Sequence, residues 1–190
     1  MTVTECTFVR SSGFPSKQGQ VHRYSSSTDL GLLDTVPSYD HCNDVLFFIR
    51  IYTFSGYNLN PPHPTINAKT TAVCSFSKTS YTARGSVGVL TYDVIKNNDP
   101  VECIAMMFSV PFDYNWYKNW FAIGSFTVGK HCDNALYNRM YHKGEDGFIR
   151  RQATDGFIVF TGKAVEIKAT MSPAGRSIMK IEVWNKRTCA

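Results

Sequence analysis

The sequence AVEIKATMSPAGRSIMKIEVW, residues 164–184, decides the fold class, because apolar and polar residues alternate along it on both sides of a short turn. Apolar side chains at every second position mark a strand that buries one face and exposes the other. Gly175 lies between the two alternating runs, where a hairpin turn favours a residue without a side chain. The stretch therefore predicts two paired strands, residues 164–171 and 177–184.

Further strand-like segments precede this hairpin, and each is rich in β-branched or aromatic residues. The sequence KNNDP, residues 96–100, is a turn between two of them. Many short strands with turns between them are typical of a β-sandwich. The predicted strands cover residues 45–54, 71–78, 85–95, 103–112 and 120–128.

One segment predicts a helix instead. Asp133 can cap its N-terminus, and residues 135–142 follow without Gly or Pro. Tyr137 and Tyr141 are four residues apart in this segment and so share one helix face. The expected fold is therefore mainly β, a sandwich with one or two short flanking α-helices.

Residues 1–41 differ from the rest of the chain. They combine several Gly and Pro residues with the serine cluster at 25–27, and they show no sustained apolar period. We predict a divergent, poorly ordered N-terminal arm with room for one short strand. Residues 42–190 form the predicted sandwich domain, which is long enough to bury a single core.

The net charge of +5 is unevenly placed, since residues 130–190 hold 11 of the 20 basic side chains and only 6 of the 15 acidic ones. A basic half suggests an anionic partner such as lipid headgroups, although a merely solvated surface explains it equally well. The basic residues are scattered and share strands with acidic residues, which argues against a nucleic-acid partner.

Catalytic and metal-binding patterns are missing from the sequence. The six cysteines include no CxxC pair, which argues against a zinc site, and their even number permits some pairing. Cys74 and Cys103 lie in apolar strand-like runs and are expected to be buried thiols. The histidines show no HExxH spacing, and Ser86 lies outside a GxSxG motif. We therefore expect no enzyme, no catalytic residue, no metal and no cofactor.

The sequence FSVPFDYNWYKNWF, residues 108–121, carries the functional signal, because seven of its 14 residues are aromatic. Polar residues such as Asp113, Lys118 and Asn119 interrupt the rings, which favours a loop that exposes Trp and Tyr. Such rings prefer the boundary between water and lipid, and each can hold a quaternary ammonium group by roughly 0.5–2 kcal/mol. The alternative is an aromatic cluster that plugs the end of the sandwich.

Part of this segment, SVPFDYNWYKNWF at residues 109–121, resembles the membrane-binding loop of the actinoporins, the sea-anemone pore-forming toxins and their relatives. The sequence RGSVGVLTY, residues 84–92, is similar to the preceding strand of that family, and residues 133–142 resemble its tyrosine-bearing helix. The resemblance covers roughly residues 45–185 and is closest to the vertebrate, fish-type members. It implies an actinoporin-like β-sandwich with a phosphocholine pocket.

The resemblance also implies the residues of that pocket. The lining would come from Ser55, Val87, Ser109 and Pro111, and the aromatic walls and hydroxyls from Tyr117, Tyr137 and Tyr141. His142 stands where the family usually has another tyrosine and would complete the pocket. The residues that would enter the membrane interface are Phe112, Trp116 and Trp120.

The implied partners are membranes that contain phosphocholine lipids, either sphingomyelin or phosphatidylcholine. A soluble form would become peripheral on the target membrane and could assemble into a homo-oligomer with a cation-conducting, haemolytic pore. Secretion is suspected from the family, although no signal peptide is visible. The family's N-terminal amphipathic helix has no counterpart in residues 1–41, so membrane binding is better supported than a pore. The alternative is a lectin-like or protein-binding β-sandwich without pore activity.

Overall fold

The computed structural model describes residues 3–10, 47–60, 63–67, 70–142, 146–154 and 156–186. The described elements, in chain order, are β1 (Val3–Arg10), β2 (Phe47–Ser55), β3 (Tyr57–Asn60), β4 (Thr71–Ser77), β5 (Ser86–Lys96), β6 (Asp99–Val110), β7 (Trp120–Phe126), α1 (Asn134–His142), β8 (Phe148–Gln152), β9 (Phe157–Thr161), β10 (Val165–Met171) and β11 (Ser177–Asn185).

The strands form two sheets that pack face to face. One sheet has the order β3-β4-β1-β11-β10-β9, and the other has the order β2-β5-β6-β7-β8. Neighbouring strands are antiparallel except β1 and β11, which are parallel. The mainly β sandwich predicted from the sequence is confirmed, with α1 as its flanking helix.

The core between the sheets follows from the alternation in the last two strands. The alternate residues Val165, Ile167, Ala169 and Met171 of β10 are all buried, and the intervening residues are partly exposed. The five-stranded sheet meets them with the side chains of one face, among them Leu90, Tyr92, Ile104, Met106 and Phe108. Removal of this apolar surface from water is the main stabilising contribution to the sandwich.

Strands β5 and β6 form a long hairpin closed by two residues. Asn97 and Asn98 both have positive φ angles, 53° and 67°, while Lys96 pairs with Asp99 across the turn. Asn tolerates this left-handed conformation better than most residues, and the pair of positive φ angles matches the twist of the flanking strands. The turn predicted at residues 96–100 is thus confirmed.

Helix α1 covers the outer face of the five-stranded sheet. The Oδ1 atom of Asp133 accepts a hydrogen bond of 2.9 Å from the backbone N–H of Leu136, which confirms the predicted N-cap. Leu136 and Met140 are buried against the sheet. Their neighbours in this second cluster include Val89, Ala105, Met107 and Ala122. Burial on both faces explains why β5 and β6 are apolar almost without alternation.

Strand β1 is where the structure differs most from the sequence prediction. Val3–Arg10 is the one short strand that the prediction for residues 1–41 allowed, but it lies inside the six-stranded sheet between β4 and β11 and not in an arm outside the sandwich. This position of β1 is favourable because, without it, the backbone N–H and C=O groups on the facing edges of β4 and β11 would be unpaired. The remainder of the predicted arm, residues 11–41, lies outside the described residues, and a domain boundary there stays a prediction.

The structure describes the side chains of three of the six cysteines. Cys74 and Cys103 are fully buried, as expected, and Cys103 and Cys132 are free thiols. The side chains of the other three cysteines lie outside the described part of the chain, so their pairing stays open.

Candidate functional site

A row of predicted residues crosses the five-stranded sheet at one end. Ser55 on β2 pairs with Val87 on β5, Val87 pairs with Ser109 on β6, and Ser109 pairs with Trp120 on β7. Directly opposite residues on neighbouring strands present their side chains on one face. Sheet register therefore brings together four residues that are far apart in the sequence.

The tyrosines of α1 lie over this row in an aromatic stack. The ring centroids of Tyr137 and Phe54 are 5.2 Å apart, and those of Tyr137 and Tyr141 are 5.6 Å apart, both nearly parallel. His142 meets Tyr141 edge-on at 4.8 Å. The predicted residues Tyr137, Tyr141 and His142 thus lie together on the helix. Phe54 of β2 stacks on Tyr137, and the sequence did not predict it.

Tyr137 connects the stack to the row of the sheet. Only 5% of Tyr137 is exposed, and its hydroxyl is hydrogen-bonded to the side chain of Ser109. Burial raises the pKa of the Tyr137 hydroxyl, and the charge on a neighbouring tyrosinate at Tyr141 would raise it further. The hydroxyl therefore stays protonated at physiological pH.

The loop between β6 and β7 is fastened by two inward side chains. The hydroxyl of Tyr114 lies 2.8 Å from Oδ1 of Asn119 and 3.1 Å from the carbonyl oxygen of Ala174. The Nδ2 atom of Asn119 donates to the carbonyl oxygens of Ser172 and Ala174 at 2.9 and 3.0 Å. These bonds attach the loop to the turn between β10 and β11.

Asn119 is buried, although the sequence placed it among the polar residues that interrupt the rings of a loop predicted to expose Trp and Tyr. Only 1% of Asn119 is exposed, and its buried amide is tolerated because it donates hydrogen bonds to carbonyl oxygens of that turn. Tyr114 also turns inward, whereas the other rings of the loop do not plug the sandwich. The exposed fractions are 49% for Phe112, 81% for Trp116 and 61% for Tyr117.

We call Tyr81, Phe112, Trp116 and Tyr117 the aromatic surface. Tyr81 belongs to the loop between β4 and β5, is fully exposed and has a φ of 59°. Lys78 links the two loops, because its ammonium group lies 5.1 Å from the ring centroid of Phe112 and 3.4 Å from the carbonyl oxygen of Thr82. The sequence reasoning missed Tyr81, which stands alone among polar residues.

Pro111 and Ser55 lie where the two loops touch. The hydroxyl of Ser55 donates to the carbonyl oxygen of Gly85 at 2.9 Å. A Cβ atom on Gly85 would come within 2.9 Å of the backbone of Pro111 and closer still to that of Val110, so only glycine permits this approach. The predicted pocket residues Ser55, Val87, Ser109 and Pro111 are therefore neighbours in one region.

Trp120 is stacked against a basic side chain. The guanidinium carbon of Arg150 lies 3.8 Å from the centroid of the Trp120 ring and 5.2 Å from that of Tyr141. Arg150 is on β8, opposite Ala122 and diagonal to Trp120. The sequence did not predict Arg150 as a site residue. It lies two residues after the buried Phe148, however, and residues two apart share one face of a strand.

The described residues offer neither a metal site nor a spanning helix. No group of His, Cys, Asp or Glu side chains among them is placed to hold a metal ion. Within the same ranges, no helix combines the length and the apolar character needed to cross a bilayer.

The sequence model of the sea anemone cytotoxic protein family matches residues 49–185. The chain belongs to this family, the actinoporins. Among its relatives, the deep sea actinoporin Cjtox II from Cribrinopsis japonica is 28% identical over 138 residues, which are 70% of this chain and 57% of that protein. Bryoporin from Physcomitrium patens is 30% identical over 135 residues, which are 71% of this chain and 74% of Bryoporin.

The match to DELTA-stichotoxin-Hcr4a from Radianthus crispa is shorter, with 31% identity over 103 residues, 52% of each chain. The actinoporin chain thus spans about half the length of several curated relatives it matches. The crystal structure of the lipid-binding protein Nakanori superposes with a TM-score of 0.57 over 98% of this chain and 71% of that one. At 11% identity this likeness shows the fold alone.

The family description and the names of Cjtox II and DELTA-stichotoxin-Hcr4a describe toxins, which agrees at the family level with a protein that is not an enzyme. The resemblance predicted from residues 109–121 is therefore confirmed as membership of the actinoporin family. Its finer part, a closest likeness to vertebrate members, stays a prediction, and so do the roles of the individual pocket residues.

Proposed function

We propose that this actinoporin docks on lipid membranes through its aromatic surface and recognises phosphocholine headgroups of sphingomyelin or phosphatidylcholine. The observation that carries the proposal is a set of outward rings on a loop whose base is fixed by Tyr114 and Asn119. Exposed clusters of large apolar side chains on a folded protein mark interaction surfaces. Trp and Tyr in particular favour the headgroup region of a bilayer.

The fixed base of the loop favours binding. A loop already held in one conformation loses little conformational entropy when its rings enter the membrane. Ser55, Val87, Ser109 and Pro111 lie beside the aromatic surface and would line the headgroup site, with Tyr117, Tyr137, Tyr141 and His142 around it. Phe112, Trp116 and Trp120 would lie at the membrane interface.

Pore formation is a further step of the same proposal. The family suggests that docked copies assemble into a homo-oligomer that conducts cations and lyses cells. We place the protein as a soluble form that becomes peripheral on its target membrane, with secretion suggested by the family. Docking and permeabilisation are separable, so they require separate measurements.

Co-sedimentation with phosphatidylcholine vesicles, with and without sphingomyelin, tests docking. Trp116→Ala and Tyr117→Ala should each weaken binding by roughly 10- to 100-fold, because each removes about 1.5–3 kcal/mol of apolar burial. Phe157→Ala is the matched control, since this ring is 54% exposed on β9 in the other sheet. Its affinity should stay at the wild-type value.

Release of a trapped dye from the same vesicles reports permeabilisation. Leakage that follows binding supports a pore, whereas binding without leakage restricts the function to docking. Unchanged affinity of Trp116→Ala and Tyr117→Ala would contradict the proposed surface. Glycan binding by a protein that ignores all vesicles would favour the lectin-like alternative instead.

A further inference from the structure

Arg150 places a permanent positive charge among the rings of the candidate site. Its guanidinium carbon lies 3.8 Å from the Trp120 centroid, the distance of a guanidinium plane stacked on an aromatic face. The same group lies 5.2 Å from the Tyr141 centroid. Two of the rings assigned to the site are thus already in contact with a cation that belongs to the protein.

No carboxylate forms an ion pair with this charge among the residues that the structure describes. The Nε atom of Arg150 is buried and has no hydrogen-bond partner in the same part of the chain. A buried donor on a charged group is costly unless something accepts its hydrogen bond. Among the described residues this donor therefore has no acceptor, and the fork of a guanidinium matches the oxygen atoms of a phosphate.

Trp120 and Tyr141 connect Arg150 to the other rings of the candidate site. Tyr137 is stacked against both Phe54 and Tyr141, and it is almost wholly buried. Trp120 has Arg150 on one face. A phosphate bound by Arg150 would therefore lie next to the rings that the proposed function assigns to the headgroup site.

We propose that Arg150 is a phosphate-binding residue of this site and that its guanidinium group holds the phosphate of a phospholipid headgroup. This inference rests on the proposed membrane docking and deepens it by naming the residue that holds the phosphate. Phosphatidic acid presents this phosphate without an attached ammonium group, so it is the probe for this contact. Inorganic phosphate shares that chemistry, so the membrane and the free ion are compared directly.

The experiment uses three kinds of vesicle: phosphatidylcholine alone, phosphatidylcholine with phosphatidic acid, and phosphatidylcholine with a fatty acid that gives the same surface charge. The wild-type protein should bind the phosphatidic acid vesicles about tenfold more tightly than the fatty acid vesicles, because charge-assisted hydrogen bonds to phosphate add to the general attraction. Inorganic phosphate at constant ionic strength should compete with the vesicles only if the free ion also fits.

Two variants separate the site from surface charge. Arg150→Gln should abolish the preference for phosphatidic acid, and Arg150→Lys should retain only part of it because a lysine lacks the guanidinium fork. Arg151→Gln is the matched control, since Arg151 is exposed and donates to the carbonyl oxygen of Phe157. It should lose at most about fivefold, the effect of one charge near an anionic membrane, and keep the preference.

The possible outcomes are distinct. Equal binding to the two anionic vesicles, or equal loss in Arg150→Gln and Arg151→Gln, would overturn the inference while leaving docking on phosphatidylcholine intact. Binding to phosphatidic acid vesicles with little binding to pure phosphatidylcholine would support it and contradict the choline part of the proposed function. If the wild-type protein bound none of the vesicles, both ideas would fail. Thermal unfolding of each variant verifies that it is folded.

Discussion

At the scale of single residues, burial sets the chemistry of several polar groups. Cys103 is fully buried beside Asp93, its partner across β5 and β6. Burial raises the pKa of the Cys103 thiol from 9.0 to about 12, and the negative charge of Asp93 adds to the rise. Arg50 opposes this effect, because it forms an ion pair of 2.7 Å with Asp93.

The raised pKa of Cys103 predicts a stability that falls at alkaline pH. Above about pH 9 the thiol ionises in the unfolded chain but stays neutral in the folded protein, so the unfolded state gains stability up to about pH 12. We expect the free energy of unfolding in urea to decrease across that window, and to decrease less in Cys103→Ala. A variant with the same pH dependence as the wild type would show that the thiol does not contribute.

At the scale of elements, the loop between β6 and β7 owes its shape to another hairpin. The side chain of Asn119 binds the turn between β10 and β11, and the backbone carbonyl oxygen of Asn119 accepts a 2.8 Å hydrogen bond from the backbone N–H of Ala153. The loop thus contacts two later parts of the chain. The outward position of its exposed rings therefore depends on the hydrogen bonds of Asn119, in which the rings take no part.

Asn119→Ala should destabilise the protein and weaken docking together. The substitution removes the two hydrogen bonds that Asn119 donates to the carbonyl oxygens of Ser172 and Ala174, and the acceptor that it offers to the Tyr114 hydroxyl, at a cost of about 1–3 kcal/mol in unfolding free energy. Asn115→Ala is the control, because this neighbouring side chain is exposed. Urea unfolding and vesicle co-sedimentation measure the two effects, and equal stability of the two variants would contradict the anchoring role.

A buried carboxylate closes the opposite end of the sandwich. Glu102 accepts hydrogen bonds of 2.6 Å from the hydroxyl of Ser125 and of 2.9–3.0 Å from the backbone N–H groups of residues 163–165. A side chain without its own donor is well suited to this cluster of donors. The strand β6 is therefore fixed at both ends, by Glu102 at one and by the following loop at the other.

At the scale of the whole molecule, β1 closes the six-stranded sheet. It pairs with β4 along one edge and with β11 along the other, over seven residue pairs on each side. The first strand, β1, thus connects β4 and β11, which follow it at very different distances along the chain. Its removal would divide the sheet in two.

Deletion of residues 1–10 should therefore lower the thermal stability substantially and promote association through the exposed strand edges. Thermal unfolding and light scattering would measure the two effects. Replacing the same residues with a flexible Gly-Ser segment is the control for chain length. A truncated protein as stable and monomeric as the full chain would show that β1 contributes little to the sandwich.

The sequence alone was sufficient for the strands and the helix that have a local pattern. Residues 165–171 alternate because each strand residue faces either the core or water, and Asp133 caps a helix because its partner is three residues away. The resemblance of residues 109–121 and 133–142 to actinoporin segments also predicted the family and the site tyrosines of α1. These features depend on neighbours in the chain, so the sequence contains them directly.

Only the tertiary structure decided which distant residues meet. Arg150 and Phe54 reach the site through sheet register and ring stacking, and Asn119 is buried by a turn more than 50 residues later in the chain. The position of β1 likewise depends on edges that other strands provide. Such contacts join parts of the chain with no shared local pattern, and their energies arise only once the two sheets have packed.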